Sequence, residues 1–129
     1  MREAYMVRRI LIVEDNPQNR LLVKDVLEFH GYEIMEAEDG QAAIEMAKKY
    51  KPDLILMDIQ MPVMDGFTAG KIIRGEPDTK NIKMIAVTSF AMSGDKERVM
   101  EAGFDHYISK PINTRELPVL IKEMLAVRA

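Results

Sequence analysis

Short apolar runs alternate five times with amphipathic helical patterns along this chain, and that alternation limits the available folds more than any other feature of the sequence. The runs occupy residues 9–13, 32–37, 54–57, 83–88 and 107–109. Each is too short for a helix. The third, Leu54-Ile-Leu-Met57, contains no polar residue, as expected of a strand covered on both faces. Parallel neighbours need a long crossover, and a helix is its usual form. Five such units therefore predict an α/β fold, a doubly wound five-stranded parallel sheet between helices.

The breaks between runs carry their own chemistry. Asn16 followed by Pro17 reads as an N-cap and a first helical residue. Leu22, Val23, Val26, Leu27 and His30 recur at helical spacing and predict one buried stripe, ended by Gly31 in the left-handed region. Asp39-Gly40 opens a second helix with Ala43, Ile44 and Ala47 facing inward. Asp65 is placed to cap a third reaching about Arg74, Ser93 a fourth running through Ala102, and Asn113 with Glu116 forms a capping box for the last. Pro118 lies one turn inside that box, which requires either a later helix start or a distorted first turn.

No linker or low-complexity tract interrupts the 129 residues, so residues 1–129 are expected to form a single domain with no output domain. The absence of cysteine excludes disulfides and thiolate metal sites and fits a cytoplasmic setting. Arg2, Arg8 and Arg9 precede an apolar stretch that soon meets Glu14-Asp15, too short for a signal-peptide core. No run approaches the roughly 20 apolar residues that span a bilayer, so no membrane role is expected. Eighteen basic against 21 acidic residues give a net charge of −3, the wrong sign for direct nucleic-acid binding. The eleven methionines are read as core filling.

In open parallel sheets ligands collect beyond the carboxyl ends of the strands. Those positions hold Glu14 and Asp15 after the first run, Asp58 after the third, Thr88 and Ser89 at the end of the fourth, and Lys110-Pro111 after the fifth. One acid after a strand is usually a solvated loop residue. Three converging carboxylates repel one another unless a hard divalent cation joins them, and Mg²⁺ suits an all-oxygen donor set that includes a phosphate. An Asp carboxylate can attack phosphorus, and Mg²⁺, the Lys110 ammonium and the Thr88 hydroxyl can meet the developing charge.

The ordered motifs Ile-Val-Glu14-Asp15-Asn, Asp58-Ile-Gln-Met-Pro62, Asp65-Gly66, Val-Thr88 and Ser109-Lys110-Pro111 resemble the receiver domains of response regulators, the CheY-like family of two-component signalling. The resemblance covers essentially the whole chain, and Lys-Pro-Asp-Leu-Ile-Leu-Met-Asp58-Ile-Gln is especially similar to DivK-type single-domain regulators and to receivers of hybrid kinases. It implies a (βα)5 flavodoxin-like fold with strand order 2-1-3-4-5 and a cis peptide between Lys110 and Pro111. It implies that Asp58 accepts a phosphoryl group from a histidine kinase or a histidine phosphotransfer protein. Asp15, Asp58 and the Gln60 carbonyl would bind Mg²⁺, with Mn²⁺ as a substitute, and Glu14 would act through water. Thr88 and Lys110 would hold phosphoryl oxygens, and Tyr107 would turn inward when Thr88 moves. The domain would then act on protein targets through its fourth helix, fifth strand and fifth helix. It would be mainly a switch, catalysing its own phosphorylation and a slow dephosphorylation that Gln60 and Phe90 tune. Glu14 stands where Asp is commoner, and Ser89 where a small residue is usual.

Other readings remain at this stage. A phosphate sink or relay intermediate would carry the same residues. A haloacid-dehalogenase-like phosphatase also uses an Asp nucleophile and Mg²⁺, but it needs an acid two residues later, where this chain has Gln60. A docking domain that works without phosphorylation would have no need of the acids. Ser93-Gly-Asp-Lys96 matches a Ser-x-x-Lys motif, which a capped helix start explains without its partner motifs.

Overall fold

The computed structural model describes residues 7–61, 63–89 and 95–126. Five strands and five helices alternate: β1 Arg9–Val13, α1 Pro17–Phe29, β2 Glu33–Ala37, α2 Gly40–Tyr50, β3 Leu54–Asp58, α3 Gly66–Gly75, β4 Lys83–Thr88, α4 Asp95–Glu101, β5 His106–Ser109 and α5 Glu116–Ala126. All strand pairs are parallel, and the order is β2-β1-β3-β4-β5. The reversal of strand order beside β1 and β3 opens a crevice at their carboxyl ends.

Strand periodicity divides the core. Leu11, Val13, Ile55, Met57, Met84 and Ala86 face one side, where Ala43, Ile44 and Ala47 of α2, Ala69 and Ile73 of α3 and Val99 of α4 cover them. Ile10, Ile12, Leu54, Leu56, Ile85 and Val87 face the other, against Val23 and Leu27 of α1 and Leu117 and Ile121 of α5. The central strand β3 is buried along its whole length, including Asp58.

The expected caps are in place. Asn16 accepts from the N–H groups of Gln18 and Asn19, Asp39 from Ala42 and Asp65 from Thr68. Gly31 takes a φ of 90° after α1. Asn113 accepts from the N–H groups of Arg115 and Glu116, and α5 begins at Glu116. The helix thus starts nearer Pro118 than the cap residue does, the later start that the proline requires, and Pro118 falls within its first turn, where a helix has backbone N–H groups without intrahelical partners.

The stripe on α1 is narrower than expected. Val23 and Leu27 are buried, but Leu22 is 51% exposed, and His30 is exposed beyond the helix end with Nδ1 at 2.9 Å from the Val26 carbonyl. The sheet covers the side of α1 that carries Val23 and Leu27, so Leu22 and His30, at the margins of the five-member stripe, face solvent. Strands β2 and β5 begin at Glu33 and His106, each one residue away from the expected start. Met57, Met61 and Met84 are buried as core residues, whereas Met100 is half exposed. Ser93 lies outside the described residues.

Candidate phosphoacceptor and metal site

Three loops, leaving the carboxyl ends of β1, β3 and β5, deliver the acids and the Lys110 ammonium. Asp58, 2% exposed, ends β3, and its Oδ2 accepts from Lys110 Nζ at 2.7 Å. Its Oδ1 accepts from the backbone N–H of Gln60 at 2.9 Å. Glu14, 7% exposed, follows β1, and its Oε1 lies 3.6 Å from Lys110 Nζ. Asp15 is exposed at the mouth. One carboxylate oxygen from each of Glu14, Asp15 and Asp58 lies within 4.8 Å of the others.

Local backbone geometry brings these groups together. Gly66 begins α3 directly beside Asp58, and its N–H donates to the Ile59 carbonyl at 3.0 Å. A Cβ there would meet the Asp58 carbonyl oxygen at 2.7 Å and Ile59 Cα at 2.8 Å, so only glycine permits the approach. The Lys110 N–H donates to the Thr88 carbonyl at 2.9 Å, fixing the β5 loop to β4, and the Lys110–Pro111 peptide is cis.

The charge balance is uneven. Burial pushes the Glu14 carboxyl up to about 7; the Asn16 N–H offsets part of this, and the Asp58 charge adds to it. Burial by itself would lower Lys110, but the hydrogen bond and charge of Asp58, joined by Glu14, leave its ammonium raised above the ordinary value. Three acids share one ammonium, and one of them retains its proton to near neutrality. An all-oxygen donor set with surplus negative charge fits a hard divalent cation such as Mg²⁺.

Thr88 is fully buried at the end of β4, and its Oγ1 accepts from Gln60 Nε2 at 3.0 Å. Gln60 Oε1 in turn accepts from the Ser89 N–H at 3.2 Å. Tyr107 is half-buried on β5, opposite Ala86, and packs on the core rather than on the acids. It lines a groove of about 670 Å³ with Lys96, Met100, Leu117 and Leu120, on the face formed by α4, β5 and α5. Phe90 lies outside the described residues.

Strand-end reading passed over Arg20. Its guanidinium donates to the Glu14 carbonyl at 2.8 Å and pairs with Glu36 at 3.1 Å and Glu38 at 3.7 Å. Its sequence signal is the pair Glu36 and Glu38 at the carboxyl end of β2.

Comparison with known proteins agrees with this geometry. Residues 10–122 match the sequence profile of the response regulator receiver domain. The polar-differentiation response regulator DivK of Brucella anthropi is 42% identical over 120 residues, covering 93% of this chain and 98% of that protein. The receiver domain of the sensor histidine kinase PA1611 of Pseudomonas aeruginosa, solved with magnesium coordinated in its active-site cleft, has a TM-score of 0.88 at 34% identity, covering 95% of this chain and all of that one. The chemotaxis protein CheY4 of Vibrio cholerae has a TM-score of 0.87 at 29% identity, covering 92% and 98%. These matches give the phosphatase alternative no support.

Proposed function

This chain belongs to the response regulator receiver domain family of two-component signalling, and we propose that Asp58 is the residue through which it works, accepting a phosphoryl group from a histidine kinase or a histidine phosphotransfer protein. The observation that carries this reading is the buried Asp58 carboxylate held at 2.7 Å by Lys110 in a crevice shared with Glu14 and Asp15.

One Asp58 oxygen forms a bond to phosphorus while the bond from phosphorus to the donor atom breaks. The electron pair leaves with the donor, which takes up a proton. Lys110 and the Thr88 hydroxyl meet the negative phosphoryl oxygens, supplying in a partly water-excluded site the stabilisation that phosphoryl transfer needs. Glu14, Asp15, Asp58 and the Gln60 carbonyl would hold Mg²⁺, with Mn²⁺ as a substitute. When bound, the cation neutralises the repulsion between the acids and the incoming phosphoryl group. The magnesium in the cleft of the Pseudomonas aeruginosa receiver supports this assignment.

Phosphorylation then draws Thr88 toward Asp58, Tyr107 follows, and the groove on α4, β5 and α5 changes shape for a protein partner. Water attacking the phosphorus slowly returns the domain to its resting state. We read residues 1–129 as a single receiver domain acting in the cytoplasm through protein contacts. Among the described residues no helix is long and apolar enough to cross a membrane. Intact-mass spectrometry after incubation with acetyl phosphate and Mg²⁺ tests the reading. One phosphoryl group is expected on wild-type protein and none on Asp58→Asn, and a label on any other residue overturns it.

A further inference from the structure

Gln60 makes three hydrogen bonds that together span the acceptor and the switch residue. Its backbone N–H donates to Asp58 Oδ1 at 2.9 Å, its carboxamide nitrogen donates to Thr88 Oγ1 at 3.0 Å, and its carboxamide oxygen accepts from the Ser89 N–H at 3.2 Å. The carboxamide thus grips the hydroxyl and the following backbone N–H at once. Thr88 is fully buried, so water cannot readily replace a bond that its hydroxyl gives up. We propose that the Gln60 carboxamide is a latch that holds the Thr88 hydroxyl in its unphosphorylated position, which makes Gln60 a positioning residue for the switch. This rests on the roles given above to Asp58 and Thr88.

The latch has a built-in release. A phosphoryl group presents only acceptor oxygens, so Thr88 must aim its O–H at them. The proton itself can turn about the Cβ–Oγ1 bond, but carrying Oγ1 within reach of a phosphoryl oxygen means changing χ1, which is stiff in a β-branched residue, or shifting the strand end. Either movement strains the bond from Gln60. At the same time, conversion of the Asp58 carboxylate to an acyl phosphate turns an anionic acceptor into a weaker, neutral one. The N–H of Gln60 then loses its charge-assisted bond to Oδ1. One covalent event therefore loosens the anchor of the latch and supplies a competing partner for the residue it holds. The Gln60 carbonyl assigned to the metal belongs to the backbone, so replacing the side chain leaves that donor in place.

The test is the χ1 distribution of Thr88 in unphosphorylated, isotope-labelled protein, read from three-bond couplings of its methyl group by NMR. Wild-type protein is expected to show one rotamer. Gln60→Met, which keeps the length without the hydrogen bonds, and Gln60→Ala are both expected to show averaging over two. The expected change in the rotamer ratio is on the order of tenfold, the effect of losing one or two neutral hydrogen bonds. Couplings that match wild type in both variants overturn the proposal, and so does averaging in Gln60→Ala alone, which would point to space rather than bonding. Phosphoryl uptake by wild-type protein is measured separately. Failed uptake refutes the assignment of Asp58 and leaves the coupling result standing, and unchanged couplings refute the latch and leave uptake standing.

Discussion

Lys110 Nζ donates to Asp58 Oδ2 at 2.7 Å, and the backbone N–H of the same lysine donates to the Thr88 carbonyl at 2.9 Å. One residue thus ties Asp58, the proposed acceptor, to the end of β4. Lys110→Ala should slow phosphoryl uptake on the order of 10²-fold, the scale of losing one preorganised charge-stabilising donor. Lys110→Arg should recover little, because a guanidinium fork cannot occupy the place of a compact ammonium between Asp58 and Glu14. Intact-mass time courses at fixed donor concentration measure both. Wild-type rates in Lys110→Ala would remove the lysine from the reaction.

Glu14 sets a pH dependence in metal-free protein. Burial is the main cause of its rise from 4.5 to about 7, and the Asp58 charge adds to it. Between those values the folded protein keeps a proton that the unfolded chain has released. The stability contributed by protonated Glu14 is therefore complete below 4.5 and declines as pH rises through about 7. Urea midpoints in EDTA should fall across this window more steeply for wild type than for Glu14→Gln. Saturating Mg²⁺ should raise the wild-type midpoint at neutral pH through ligand linkage. Equal slopes for the two proteins would show that Glu14 does not titrate there.

Val63 has a φ of 71° and is 98% exposed. A β-branched residue in the left-handed region is strained, and no burial compensates it here. Val63→Asn or Val63→Gly should stabilise the fold by about 1 kcal/mol, since both adopt that region more readily. Thermal and urea denaturation check the gain. A loss of stability in both variants would mean that the valine side chain makes contacts that outweigh the strain.

The sequence announced the fold through features that act locally. Apolar runs such as Leu54 to Met57 need no tertiary information to be read as buried strands, and Asn16, Asp39 and Asp65 cap helices with bonds that span two or three residues. The acids were legible because strand ends in a parallel sheet converge. Exposure on α1 was not, because a periodic stripe says which residues share a face and not how much of that face the sheet covers. Leu22 and His30 fall on the uncovered margin. The Gln60 to Thr88 bond was also invisible, since 28 residues separate the partners and only the pairing of β3 with β4 brings them together.

Arg20 gives the last prediction, because its guanidinium ties the loop that carries Glu14 and Asp15, the proposed metal ligands, to a second charged layer. Its side chain is 13% exposed, donates to the Glu14 carbonyl at 2.8 Å, and pairs with Glu36 at 3.1 Å and Glu38 at 3.7 Å. Glu36 also accepts from Lys24 at 3.4 Å, so the carboxylate is itself held in place. Outer-layer groups that orient metal ligands are typically worth about 10- to 100-fold in affinity. Arg20→Met keeps the apolar stem and removes every donor, and it should weaken Mg²⁺ binding about tenfold by letting the loop that carries Glu14 and Asp15 relax. Arg20→Lys should restore only part of this, since one ammonium cannot serve the carbonyl and two carboxylates in fixed directions. Replacing Glu36 and Glu38 together by Gln should cost less than Arg20→Met, because the bond to the Glu14 carbonyl survives. Isothermal titration with Mg²⁺ orders the four proteins. Wild-type affinity in Arg20→Met would show that Glu14 and Asp15 are held without the guanidinium.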